Sequence, residues 1–269
     1  MPLTLVPTPI GNLEDITLRA LRVLKEADLI ACEDTRTSSI LLKRYDISKP
    51  LISLHLFNEK ERTERLAAAL REGKKVAVIS DAGTPGISDP GWLLLRAALD
   101  EGFETDVLPG PSALLPAVLL SGLNPQPFLF YGFPPEKTGA RKKLFTSLEP
   151  LPYTLVFYLS PHKAERQIAE MMEAWGDRPA ALVREISKIH QESIRGLLSE
   201  IAARLEAGVK GELVLVIEGG KEEEEDPEAW RRRAKEMQEA GGYAKEIAQE
   251  ISSRYNIPRN IVKEFLLQN

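Results

Sequence analysis

The apolar run Val76-Ala-Val-Ile79 ends abruptly in Ser80-Asp-Ala-Gly-Thr-Pro-Gly-Ile-Ser-Asp-Pro-Gly91. A short β-branched run, entered from Lys74 and Lys75 and left through glycines and prolines, reads as a buried strand of an α/β sheet. Ligands of open α/β sheets gather at the carboxyl ends of strands, and Asp81 stands just past this one. Asp89 and Pro90 then predict a helix start, with Asp as N-cap and Pro at the first helical position. The loop exceeds the usual strand-to-helix connection of about 2–6 residues, and such length favours a functional role.

The same alternation runs through the chain. Leu3–Val6, Leu29–Cys32, Leu51–Leu56 and Glu104–Leu108 are predicted strands. Most stop at polar or Gly/Pro loops: Pro7–Asp15, Glu33–Arg36 and Pro109–Ala113. Between them, Leu18, Leu21, Leu24 and Ala27 share a helical face behind a cap at Asp15 or Thr17. Ser38–Tyr45 reads as a short helix. Asn58-Glu-Lys-Glu61 resembles a capping box for a helix that Gly73 ends, and Trp92–Asp100 is helical. Strands alternating with helices imply a mostly parallel sheet.

Asn124-Pro-Gln-Pro127 is the best candidate boundary. It separates an N-terminal α/β domain, 1–123, from a second α/β domain, 124–220, in which strands and helices alternate again. Two α/β domains facing each other across a cleft is the expected architecture. Residues 221–269 form a third region: the acidic run Glu222–Asp226, read as a linker, and a basic helical tail. Within that tail Arg231, Arg232 and Arg233 cluster on a helix over Trp230–Gln238. Helices over Tyr243–Tyr255 and Arg259–Leu267, joined at Asn256-Ile-Pro258, form a helix-turn-helix pattern. The tail reads either as a nucleic-acid module or as a helical hairpin that caps the body or joins a dimer.

Several chemistries are excluded. No Gly-x-x-x-x-Gly-Lys-Ser/Thr loop is present, no strand leads into Gly-x-Gly-x-x-Gly, and there is no Gly-x-Ser-x-Gly elbow. The single Cys32 sits at an apolar strand end and reads as core. The three histidines, His55, His162 and His190, are scattered, so no metal is expected. A net charge of −5 confines any nucleic-acid contact to a local patch. No apolar stretch nears the ~20 residues of a membrane span, and the start of the chain carries no basic leader, so a soluble cytoplasmic protein is expected. What remains is a site of backbone amides in Gly/Pro loops with one prominent carboxylate, Asp81. That suits an uncharged nucleoside whose ribose diol an aspartate can hold.

Leu5-Val-Pro-Thr-Pro-Ile-Gly-Asn-Leu-Glu-Asp-Ile-Thr17, Cys32-Glu-Asp-Thr-Arg36, Ser80–Gly91, Pro109-Gly-Pro-Ser-Ala113 and Gly211-Glu-Leu-Val-Leu-Val-Ile217 resemble, in order, the tetrapyrrole methylase superfamily. Within it they are similar to the branch that methylates small-subunit ribosomal RNA. The resemblance implies a two-domain α/β fold binding S-adenosylmethionine in the interdomain cleft, as a homodimer. It also implies methyl transfer to the ribose 2′-oxygen of a cytidine in the decoding region of 16S ribosomal RNA, within the small ribosomal subunit.

By the same motifs, the cofactor would meet Ile10 and Gly11 of the first loop and Asp81, Ala82, Gly83, Thr84 and Ile87 of the central one. Ser112 and Ala113 follow from the Pro-Gly-Pro-Ser-Ala turn, and Leu159, Ile186 and Ile217 from strand ends of the second domain. A ribose hydroxyl must lose its proton, so a base would help. Asp34, Glu185 and His190 are candidates, with Lys188 a further one if desolvation depresses its pKa. Arg36, Arg141, Lys142, Lys143 and His162 read as phosphate contacts around the cleft, joined by Arg231–Arg233 of the tail. A corrinoid or porphyrinoid methylase is the alternative, expected to lack a basic tail. An RNA-binding assembly factor using the cleft as scaffold is another, and the intact Asp81 loop weighs against it.

Overall fold

A computed structural model describes residues 2–206, 208–220, 228–255 and 257–268. The chain divides into two compact units, Met1–Gly220 and Lys221–Asn269.

The first unit holds two five-stranded sheets. In the first sheet, β1 (Leu3–Leu5), β2 (Leu29–Cys32), β3 (Leu51–Ser53), β4 (Val76–Ile79) and β5 (Thr105–Val107) run in the order β3-β2-β4-β1-β5. Every pairing is parallel. The crossovers are α1 (Leu18–Glu26), α2 (Thr35–Arg44), α3 (Glu59–Arg71) and α4 (Trp92–Asp100). Strands β2 and β4 are buried along their whole length, as strands covered on both faces must be, and this explains their unbroken apolar runs. Cys32 lies wholly inside this core. In register, Leu5 pairs with Val78 and Cys32 with Ile79. The carboxyl ends of β1, β2 and β4 therefore finish level, and their loops rise side by side.

Helix α1 keeps one of its two expected caps, whereas the starts of α2, α3 and α4 differ from the sequence expectation. Thr17 caps α1, its hydroxyl accepting the Ala20 N–H at 3.0 Å. Helix α2 begins at Thr35 rather than Ser38, because the Asp34 carboxylate accepts the Arg36 N–H at 2.8 Å. Helix α4 begins after Gly91, not at Asp89-Pro90, and the Asp89 side chain does not cap it. The Asn58–Glu61 capping box does not form either, since Asn58 makes no side-chain cap bond.

The second sheet contains β6 (Phe128–Gly132), β7 (Thr154–Leu159), β8 (Pro179–Arg184), β9 (Glu192–Leu197) and β10 (Leu213–Ile217), ordered β6-β7-β10-β8-β9. Only β6–β7 is parallel. Three helices, α6 (Thr138–Leu148), α7 (Pro161–Trp175) and α8 (Leu198–Glu206), bury Phe145, Ile168, Trp175 and Ile201 against Phe157, Leu182 and Leu215. The Trp175 indole N–H closes this core on the Phe145 carbonyl at 2.7 Å. On the opposite face lies α5 (Leu114–Ser121), whose Ala117 and Val118 pack with Val183, Val214 and Val216. Helix α5 thus follows the first sheet in sequence and covers the second in space.

The reversed direction of β10 corrects one expectation. Ile217 pairs with Leu155 at the start of β7, and Leu213 pairs with Leu159 at its end. Ile217 therefore sits at the far edge of the sheet, in the core, away from Leu159.

The second unit comprises α9 (Ala229–Glu239), α10 (Ala244–Tyr255) and α11 (Arg259–Gln268), closed around Trp230, Ala234, Ile247, Ile251 and Val262. The acidic run Glu222–Asp226 lies outside the described residues.

Candidate functional site

Four strand-end loops of the first sheet are bonded into one floor. Thr8 and Gly83 exchange backbone hydrogen bonds, each 2.9 Å, and the Thr8 hydroxyl donates to the Ser80 carbonyl at 3.0 Å. The Thr84 hydroxyl reaches the Pro111 carbonyl at 3.2 Å, which ties in the loop before α5. From the β2 end, the Asp34 N–H donates to Asp81 Oδ1 at 3.2 Å and orients that carboxylate.

Above this floor is a cavity of about 680 Å³, within the usual size of a small-molecule site. Ile10, Asp81, Ala82, Gly83, Thr84 and Ile87 line it from the first sheet's loops, with Ser112, Ala113 and Leu114 beside them. Its other wall is Phe130, Phe133, Tyr158, Leu159, Ser160 and Gly211–Val214 of the second sheet. Sequence reasoning did not place Glu33, Asp89 or Glu212 here, yet all three line the cavity with Asp81. No lysine, arginine or histidine appears among the described residues that line it. Burial pushes the Glu33 carboxyl above the ordinary glutamate range, and the charges of Asp89 and Asp81 add to the shift. Burial raises Asp89 likewise, and partial desolvation raises Asp81 despite the Asp34 N–H. The Tyr158 hydroxyl is pushed up to about 12 by burial, with Asp89 and Glu212 contributing. An apolar cavity whose only charged walls are negative complements a cationic organic molecule.

Residues 2–202 match the family described as Tetrapyrrole (Corrin/Porphyrin) Methylases. The chain belongs to the tetrapyrrole methylase family. Among its relatives is the ribosomal RNA small subunit methyltransferase I of Streptococcus pyogenes serotype M3, 42% identical over 96% of this chain and 91% of that protein. The ribosomal RNA small subunit methyltransferase I of Thermotoga maritima is 45% identical, over 81% of this chain and 98% of that protein. Part of this tetrapyrrole methylase therefore has no counterpart in the Thermotoga protein. Among solved structures, a diphthine synthase superposes with a TM-score of 0.63 at 16% identity, covering 80% of this chain and 89% of that one. At these distances the superposition reports the fold.

Within this tetrapyrrole methylase, the motif-derived cofactor residues divide. Nine line the cavity, whereas Gly11, Ile186 and Ile217 do not. Ile186 is buried in the same apolar cluster as Ile10. Gly11 packs against the Glu185–His190 loop so closely that a Cβ there would collide with Lys188 Cγ.

The proposed bases lie outside the cavity lining. Asp34 is bound twice over by the Arg36 guanidinium and backbone N–H, which hold it down to about 2. Glu185 Oε1 takes the Lys188 ammonium at 2.9 Å and the Glu212 N–H at 2.9 Å, and these bonds keep its pKa below the usual value. Lys188 is partly desolvated, but its bonds to Glu185 and Glu212 outweigh this and raise its pKa. That corrects the expectation of a depressed lysine. His190 is exposed on the same loop.

Arg141 is a second correction. It is fully buried, forked onto Glu170 and donating to the Pro135 and Glu136 carbonyls at 2.8 and 2.9 Å, so it cannot face a phosphate. Lys142 pairs with Glu173 at 3.0 Å on the surface, Lys143 and His162 are exposed, and Arg36 is occupied by Asp34. In the second unit, Arg231 pairs with Glu228 and lies over the Trp230 ring, and Arg233 pairs with Glu236. Arg232 is exposed on the same helix. Much of the arginine cluster's charge is thus matched within its own unit.

No helix among the described residues is long and apolar enough to cross a membrane.

Proposed function

We propose that this chain methylates 16S ribosomal RNA with S-adenosylmethionine, at the ribose 2′-oxygen of a cytidine in the decoding region. The observation that carries the reading is the cavity's charge. S-adenosylmethionine is a nucleoside bearing a sulfonium and a zwitterionic amino-acid end, a net cation, and Asp81, Glu33 and Asp89 offer three carboxylates with no lining cation to oppose it, while Glu212 is paired with Lys188 at 3.2 Å. Asp81, oriented from β2, holds the ribose diol. Ile10, Ile87, Tyr158 and Leu159 supply the apolar surface for the base.

S-adenosylmethionine supplies a methyl group already activated on sulfur: the carbon–oxygen bond forms as the carbon–sulfur bond breaks, neutral S-adenosylhomocysteine leaves, and the hydroxyl proton passes to a base. What remains for the protein is alignment, exclusion of water and acceptance of that proton. Glu33 and Asp89, inside the cavity and with raised proton affinity, suit that last task better than Asp34, Glu185 or Lys188.

Identity of 40% and more to ribosomal RNA methyltransferases across nearly the whole chain favours RNA over a corrinoid substrate. Phosphate contacts fall to exposed Lys143 and His162 beside the cleft. A homodimer, the state that the family resemblance implies, is the working form. The cytoplasm, where small ribosomal subunits mature, is its place of action.

The test is transfer of labelled methyl from S-adenosylmethionine to small subunits lacking the modification, followed by nuclease mapping. Label in one ribose-methylated cytidine is expected. Label absent from RNA but present in an added tetrapyrrole would replace this reading with the corrinoid one.

A further inference from the structure

We infer that Glu59 is a positioning residue for the cofactor loop, an inference that rests on the function proposed above. Asn58 and Glu59, which the sequence pattern reads as a local cap, both act away from the start of α3. Asn58 Oδ1 accepts the His55 N–H at 2.8 Å and its amide donates to the Ser53 carbonyl at 3.3 Å, closing the turn after β3. That turn leaves Glu59 as the first residue of α3, with the residue only 7% exposed. Its Oε1 accepts the Gly91 N–H at 2.8 Å and the Leu93 N–H at 3.2 Å, both at the start of α4.

Helix α4 has no cap of its own. Its N-cap position is Gly91 at φ +128°, where side chains are rarely tolerated, so the capping oxygen must come from elsewhere. A buried carboxylate facing helix amides gains charge-assisted hydrogen bonds and the favourable end of the helix dipole. The loop after β4 is therefore pinned near its start, by Thr8 on Gly83 and by Thr84 on the Pro111 carbonyl, and at its end by Glu59 on Gly91. Ile87, Ser88 and Asp89, which line the cavity, lie between these ends. Glu59 is absent from that lining, so any effect on the cofactor must pass through the loop.

The experiment is calorimetric titration of S-adenosylhomocysteine into wild type, Glu59→Gln and Glu59→Asp, with thermal melts to fix the folded fraction and steady-state kinetics alongside. Glu59→Gln keeps an oxygen at the same reach and should bind within about threefold of wild type. Glu59→Asp keeps the charge but loses the reach. Its affinity per folded molecule should fall by about tenfold, the size of one lost bond to a charged acceptor, with KM for S-adenosylmethionine rising more than kcat falls. Gly91→Ala strains the same junction without touching the carboxylate and should give the same KM-weighted loss. If Glu59→Asp melts earlier yet binds within twofold of wild type, or Gly91→Ala binds normally, Glu59 only caps a helix and the inference is overturned. A wild type that fails to bind S-adenosylhomocysteine overturns the functional reading and this inference with it.

Discussion

The two sheets of the first unit build the same cavity by different rules. In the parallel sheet every strand points the same way, so each strand-end loop comes up on the same edge, and Ile10, Glu33 and Asp81 meet there. In the second sheet β10 runs against both neighbours. It presents its beginning, Gly211–Val214, where β7 presents its end, Leu159 and Ser160. The lesson is that "carboxyl end of a strand" locates a site only while strands are parallel. The chemistry divides likewise: three of the four cavity carboxylates come from the first sheet's loops, and the second sheet brings aromatic walls and Glu212.

The strongest way to sharpen that division is Arg141, which the sequence assigns to RNA and the structure to packing beside the second sheet. Arg141→Met should destabilise the fold by about 3–5 kcal/mol, the usual cost of breaking a buried pair, while the folded fraction keeps its RNA affinity. Thermal melts and filter binding check both halves, and weakened RNA binding by fully folded protein would restore the phosphate role.

Next in size is Asp81→Ala. Loss of a charge-assisted contact should weaken cofactor binding by about 2–4 kcal/mol in calorimetry, whereas Glu212→Gln on the opposite wall should cost about 1 kcal/mol or less. Equal losses would erase the proposed asymmetry between the sheets.

Ile217→Val tests the direction of β10. It should lower stability by about 1 kcal/mol as a core methyl is removed, and leave cofactor affinity unchanged. A change in affinity without a change in stability would put Ile217 in the cavity after all.

The smallest expected effect is on pH. Glu33, Asp81 and Asp89 have raised pKa values in the folded protein, so between their unfolded and folded values the folded state holds the extra protons. They should therefore cost stability as pH rises through that window above the ordinary carboxylate range, and favour the fold below it. A cationic ligand needs them ionised. Its affinity should rise with pH through the same window, and binding should release protons, measurable by calorimetry in buffers of different ionisation enthalpy. Proton uptake on binding would contradict the acidic-cavity account.

Much of this protein was legible as pattern. The buried runs of β2 and β4, the loops behind them, Asp81 at a strand end and the alternation of the first sheet all follow from local propensity and burial periodicity. The sequence by itself determined these because parallel crossovers leave few choices of direction and put every loop on one edge. Asp89 was hidden because Asp-Pro reads as a helix start, and Glu33 because its neighbour Asp34 is the helix cap. Only the tertiary structure decided which way β10 runs, that α5 covers the second sheet, that Arg141 is buried on Glu170, and that a carboxylate from α3 caps α4. Each of these is a pairing between groups far apart in the chain. A residue's type sets what it can bond to, and the fold alone sets what stands opposite it.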